Sequence, residues 1–208
     1  MTRALQLVVK HILDWFAAVV LLCFLLPVML SIAVAILLES GRPVLFVQAR
    51  VGRQGRSFRA YKFRTMVLGA EQTGLGTTVA AGDDRITRIG AFLRTWSLDE
   101  LPQLLNVIRG DMSLVGPRPT LEYQVAQYTP SQRRRLEVKP GITGWAQVCG
   151  RNALPWAKRI ELDVWYVDHF SLVLDVRILF RTIGVWLRRE GLYGPGGVNV
   201  DFVPKEQG

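Results

Sequence analysis

The sequence predicts a mainly α fold with a small β-hairpin, in which an N-terminal membrane helix leads into a compact catalytic domain edged by amphipathic helices. Three observations carry this. Trp15 to Leu38 is a run of 24 residues without a charge. Two later stretches, Pro43–Val51 and Phe58–Met66, read as short strands joined by a glycine turn. The whole chain is 50% hydrophobic yet carries a net charge of +9, a pairing that suits anionic lipid, polyphosphate or nucleic acid as partner. At 208 residues there is room for one domain with its own core. The expected divisions are a membrane helix over 1–40, a catalytic domain over 41–190 and an irregular tail over 191–208.

The apolar run would be about 36 Å long as a helix, enough to cross a bilayer core. It exceeds the hydrophobic stretch of a cleavable signal, although Ala33-Val34-Ala35 mimics a cleavage site. Pro27 sits at its middle and removes a backbone hydrogen bond there. Both flanks are basic: Arg3 and Lys10 precede the run, and seven Lys or Arg residues follow between Arg42 and Arg64. A straight span would put the domain in the cytoplasm and the N-terminus outside. A re-entrant helix bent at Pro27 would keep both flanks cytoplasmic. The residues alone leave both arrangements open, and both place the domain on the cytoplasmic side.

After the membrane helix, a Gly52/Gly55 turn joins the two predicted strands, and alternation along the second sets Lys62 and Arg64 on one face as an anion-binding edge. Gly69 to Asp84 lacks any hydrophobic period and reads as a mobile loop that could lie over a site. A helix is predicted over Ile86–Trp96, and another opens at Thr129-Pro130 and stops at Lys139-Pro140-Gly141. Leu172 to Arg189 is amphipathic, with Arg177, Arg181 and Arg188 on one side. That pattern fits a helix lying in a membrane interface, with packing against the domain as the competing explanation. Cys23 and Cys149 fit neither a disulfide framework nor a metal spacing, and read as small hydrophobes in a reducing compartment. His11 and His169 are too scattered for a zinc site.

The chemistry concentrates in Ser97–Pro119, SLDELPQLLNVIRGDMSLVGPRP. Ser97 and Glu100 have the spacing of a capping box, so one reading is that the acids merely start a helix. Pro102 argues against a helix capped at Ser97, because its missing N–H would fall where a helical bond is due. A start at Asp99 or later places Pro102 in the tolerated first turn. The positive helix end would then keep Asp99 and Glu100 ionised, able to hold Mg²⁺, or to divide into a nucleophile and a metal ligand. Arg118, between Pro117 and Pro119, offers a guanidinium on stiff backbone to a phosphate. Lys139–Asn152, KPGITGWAQVCGRN, has the composition of a binding loop, ending in the pair Arg151-Asn152. No Walker motif and no RNA- or DNA-binding motif is present.

The stretches Tyr61–Met66 (YKFRTM), Thr87–Pro119 and Lys139–Asn152, with a looser match over Leu162–Arg177, resemble the monotopic phosphoglycosyl transferases, bacterial sugar transferases that begin glycoconjugate assembly on polyprenyl phosphate. The resemblance extends over nearly the whole chain and is closest to the minimal catalytic form. It implies that Asp99 attacks the β-phosphate of a UDP-sugar, releasing UMP and leaving a phosphosugar on the aspartate, which polyprenyl phosphate then accepts. It implies Glu100 as the second member of the dyad, Mg²⁺ at the acid pair, and Lys62, Arg94, Arg118 and Arg151 around phosphate or substrate. It also favours the re-entrant membrane helix with its break at Pro27, on the cytoplasmic face of the inner membrane. Here Leu26 stands where the family often has Ser before that proline. Membrane lipids are expected partners, a homo-oligomer is left open, and nucleic acid is not expected. A basic, non-catalytic membrane adaptor is the competing class; it would be indifferent to Asp99 and Glu100.

Overall fold

The computed structural model describes residues 2–74, 76, 78–189 and 191–199. It is mainly helical, with three two-stranded sheets. In order the elements are α1 (Arg3–Ser40), β1 (Leu45–Val51), β2 (Ser57–Phe63), β3 (Val79–Ala80), α2 (Arg88–Thr95), α3 (Leu104–Arg109), β4 (Ser113–Val115), α4 (Glu122–Ala126), α5 (Pro130–Arg133), β5 (Gly141–Thr143), α6 (Trp145–Val148), α7 (Trp156–Asp168), α8 (Leu172–Arg188) and β6 (Val198–Asn199). The predicted hairpin is β1–β2, antiparallel, with Leu45 opposite Phe63 and Val51 opposite Ser57. The other two sheets, β4 parallel to β5 and β3 antiparallel to β6, join strands far apart in sequence and too short to show a period.

Helix α1 starts at Thr2, whose side chain accepts from the Leu5 amide, and ends at Gly41, whose amide makes the last helical bond to the Leu37 carbonyl and whose φ of 73° turns the chain out of the helix. Pro27 lies inside this helix, not between two helices, and Ser31 Oγ donates to the Pro27 carbonyl. The helix is long and apolar enough to cross a membrane. Along its length, however, one stripe faces the domain. Ala18, Leu22 and Leu25 pack with Leu104, Val107 and Met112, and Met29, Ile32, Ala33 and Ile36 pack with Phe63, Leu93 and Leu101. The opposite side stays exposed, Phe24 and Leu38 by about four-fifths.

At the start of α1, Lys10 is enclosed by Asp175 of α8 at 2.6 Å and Asp14 at 3.3 Å. Ser113 Oγ donates to Asp14, and Tyr166 Oη donates to Asp175 at 2.7 Å. Helix α8 packs against the domain along one face only. Ile178 is fully buried against Val115, Tyr166 and Val167, while Val173, Phe180, Ile183 and Leu187 remain exposed on another face. The Gly69–Asp84 loop is organised around Arg85, whose guanidinium donates to the carbonyls of Ala70, Thr73, Gly76 and Thr78 and to Asp83. The expected irregular tail carries β6 up to Asn199; residues 200–208 lie outside the described residues.

Candidate active site

Each side chain of the site is set by a close backbone approach. Asn106 of α3, fully buried, accepts from the Tyr61 amide and donates to the Arg59 carbonyl, which pins β2 and presents Lys62 inward. Gly90 lets α2 lie against the end of β2, since a Cβ there would stand 2.0 Å from the Thr65 carbonyl oxygen. One turn later Arg94 Nε donates to Thr65 Oγ1 at 2.8 Å. The β4–β5 pair fixes the Gly-Pro-Arg-Pro turn, with the Gly141 amide donating to the Pro117 carbonyl. Arg135, itself paired with Asp163 and Tyr128, donates to the Arg118 carbonyl.

The acid pair does not sit in a capping box. Ser97 has φ 51° and makes no cap, and its hydroxyl instead accepts from Arg151 Nη2 at 3.0 Å. Asp99 and Glu100 occupy the first turn of a 3₁₀ helix, Leu98–Gln103, that runs into α3. This accommodates Pro102, because a 3₁₀ turn followed by an α-helix re-phases the hydrogen bonds around the missing N–H.

The two carboxylates differ sharply in environment. Glu100 is clamped, its Oε1 accepting from Lys62 Nζ and from Arg118 Nη2, each at 2.7 Å. Arg118 Nη1 also reaches Oε2 at 3.4 Å. Burial raises the Glu100 pKa, but Arg118 and Lys62 outweigh it and hold the acid well below the usual carboxylate range. Among the described residues Asp99 has one cation at ion-pair distance, Lys62 at 3.9 Å, and no hydrogen-bond donor to its carboxylate; Arg94 and Arg118 act on it from farther away. Burial pushes its pKa above the ordinary value, with Lys62 opposing and Glu100 reinforcing. The helix end therefore does not hold both groups equally ionised, as the sequence led us to expect.

Asp99 lines a cavity of about 580 Å³, together with Lys62, Arg94, Arg118 and Arg151. Glu100 stands behind that wall, and Pro27 lies away from it on α1. Asn152, paired with Arg151 in the predicted binding loop, also lines the cavity, whereas sequence reasoning missed Arg50, Arg135, Arg159, Asp163 and Asn199. Arg135 and Asp163 meet across 28 residues, and no local pattern announces such a pair. Arg159 could have been found, lying one helical turn from Trp156 and over its ring. Arg64, expected beside Lys62 as an anion-binding edge, uses Nη2 to hold the Ser40 and Gly41 carbonyls at the end of α1.

As a cation site, the acid pair offers less than its sequence promised. Both Glu100 oxygens already accept from cations, and no group of three or more His, Cys, Asp or Glu is assembled among the described residues. Asp99 alone presents an open carboxylate. That fits a Mg²⁺ ion completed by substrate phosphates and water, the usual arrangement for this ion, but not an all-protein cage.

An open carboxylate in a cavity lined by arginines has the charge to suit an anionic ligand, and comparison with known proteins says which kind of protein holds it. The chain belongs to the bacterial sugar transferase family, whose model matches residues 5–189. It is 47% identical over 186 residues to the uncharacterized sugar transferase EpsL of Bacillus subtilis, covering 89% of this chain and 91% of that one. A UDP-N-acetylgalactosamine-undecaprenyl-phosphate N-acetylgalactosaminephosphotransferase of Aeromonas hydrophila is 46% identical over 84% of this chain. An undecaprenyl-phosphate galactose phosphotransferase of Salmonella typhimurium is 39% identical over 88% of it. The chain spans less than half the length of these last two, 43% and 41% respectively.

Proposed function

We propose that the protein transfers a phosphosugar from a UDP-sugar to polyprenyl phosphate at the cytoplasmic face of a bacterial inner membrane. The observation that carries this reading is the contrast within the acid pair: Glu100 is fixed by Lys62 and Arg118, while Asp99 opens onto the cationic cavity with its basicity raised. Asp99 Oδ attacks the β-phosphorus, and the bond from that phosphorus to the oxygen bridging the α-phosphate breaks. UMP leaves with the electron pair, and the phosphosugar stays on the aspartate as an acyl phosphate. A phosphate oxygen of the polyprenyl acceptor then attacks the same phosphorus and releases the Asp99 carboxylate. Lys62, Arg94, Arg118 and Arg151 balance charge on the phosphoryl oxygens throughout. Glu100 holds two of those cations at fixed spacing. Mg²⁺, held by Asp99 and the substrate phosphates, would add charge neutralisation on the diphosphate.

The relatives' printed names support the reaction class and also limit it, since one names N-acetylgalactosamine and another galactose. The membrane reading rests on α1. Its first half is tied to the domain by Lys10 and Asp175, and its second half by Ile36 against Phe63. A helix fastened at both ends to one body, with its other face apolar and bare, suits re-entry into a single leaflet better than a crossing. The exposed apolar face of α8 would rest in the same interface.

The reaction is tested by screening UMP release across UDP-sugars with undecaprenyl phosphate and Mg²⁺. Labelled phosphosugar should remain on the wild-type protein when the acceptor is omitted. Asp99→Asn should lower UMP release by at least about 10³-fold; near-full turnover in that variant would remove Asp99 as nucleophile.

A further inference from the structure

The family match ends at residue 189, yet the chain continues over the cavity. From Gly191 to Asn199 it runs between two segments that both contribute to the cavity wall, one at Arg151-Asn152 and one at Val79. Asn152, beside Arg151, ties down the near end: its amide donates to the Gly191 carbonyl at 3.2 Å and its Nδ2 to the Leu192 carbonyl at 2.9 Å. At the far end β6 pairs with β3, setting Asn199 opposite Val79, and the Ala81 amide donates to the Gly197 carbonyl at 2.7 Å. Between them the segment folds on itself, the Gly194 amide donating to Asn199 Oδ1 at 3.0 Å. The fit admits no side chain at Gly194, where a Cβ would lie 2.4 Å from the Val198 carbonyl oxygen.

We infer that this strap is part of the substrate site, with Asn199 reading the uncharged, hydroxyl-bearing part of the nucleotide sugar. Asn199 lines the cavity along with Val79, Arg151 and Asn152. Its Oδ1 is held by Gly194, and its Nδ2 has no partner among the described residues. A fixed amide with a spare donor suits a neutral oxygen, whereas the phosphates have the cations around Asp99. Because the strap lies outside the stretch that defines the family, it can differ between members without disturbing phosphoryl transfer. That is where a family sharing one reaction and several sugars would place its selection. The inference rests on the nucleotide-sugar reading of the cavity.

The test uses the full chain. Asn199→Ala removes the donor, and Gly194→Ala displaces the strap without changing any cavity-lining side chain. Binding of UDP, UDP-glucose and UDP-N-acetylgalactosamine is measured by calorimetry in an Asp99→Asn background, and KM and kcat for UMP release in the active enzyme. We expect affinity for at least one UDP-sugar to fall about 3- to 10-fold, as for one lost hydrogen bond, with KM rising in step and kcat little changed. Loss confined to UDP-sugars assigns Asn199 to the sugar; equal loss for UDP assigns it to the nucleoside. Unchanged binding and KM with a lowered Tm would make the strap structural only and overturn the inference. UMP release that proceeds while binding ignores both substitutions also sinks the strap and leaves the reaction standing. Binding that responds in a protein that releases no UMP sinks the reaction and leaves the strap. If no nucleotide sugar binds, both fall.

Discussion

Near the start of α1, Lys10 is shut between Asp14 and Asp175, with Ser113 and Tyr166 donating to the two carboxylates. At the centre of the domain, Lys62 meets Asp99 and Glu100, with Arg118 alongside. Both clusters put one lysine between two acids. In the first, the charges and their hydrogen-bonding neighbours satisfy one another, and the result is a clamp that fixes where α1 lies on α8. In the second, Glu100 absorbs two cations while Asp99 has no hydrogen-bond donor among the described residues and lines a cavity that holds further arginines. On the proposed reading function resides in the imbalance, because a group whose partners are incomplete is the one that gains from a ligand.

The largest effect should come from breaking the clamp. Lys10→Met leaves two carboxylates buried without their cation, which costs about 3–5 kcal/mol in comparable sites. For a domain of this size that is a fall in Tm of roughly 6–20 °C, measured in one detergent at one scan rate. Molecules that remain folded should release UMP at close to the wild-type rate. If Lys10→Met instead loses turnover at unchanged Tm, the two clusters are not separate in function.

The sequence made one cluster legible and hid the other. Asp99, Glu100 and Arg118 fall within 20 residues, and Pro102 with the Pro-flanked arginine gave local reasons to suspect them. Lys10, Asp14 and Asp175 are separated by 165 positions end to end, and each resembles an ordinary solvated charge at the edge of an apolar run. The same distance rule explains the fold. The β1–β2 hairpin was readable because its turn is local, while β4–β5 and β3–β6 depend on pairings between remote segments of two or three residues. Ser97 was legible only through Pro102: its spacing to Glu100 mimics a cap, the proline argues against one, and a left-handed backbone turns the Ser97 hydroxyl to Arg151, which no local pattern foretells.

Within the acid pair, removal of charge should move stability in opposite directions. Asp99 has a raised folded pKa, so the fold disfavours its ionised form and loses stability as pH rises through the carboxylate range. Asp99→Asn should therefore raise Tm at pH 7 by a few degrees, even as it stops turnover, and the gain should vanish near pH 4. Glu100 has a lowered folded pKa, so its contribution is present above the unfolded carboxylate pKa and is lost only as pH falls through the folded value. Glu100→Gln should lower Tm at pH 7 and disperse Lys62 and Arg118. Two shifts of the same sign would mean that the carboxylates are not divided into an open group and a clamped one.

The smallest effect is the most direct measure of that division. The acid limb of kcat/KM for UMP release reports protonation of the free enzyme's essential base. With Asp99 as that base, the limb should lie above 3.8, the ordinary value for an aspartate, because burial raises it. Lys62 opposes the rise and Glu100 adds to it, so substitutions at these neighbours should displace the limb in opposite directions. Lys62→Met removes a nearby positive charge and should move it to higher pH. Glu100→Gln removes a negative one and should move it to lower pH. Both variants will also weaken substrate binding, but that changes the height of the profile and not the position of the limb. A limb that stays fixed in both would place the titrating base somewhere other than Asp99.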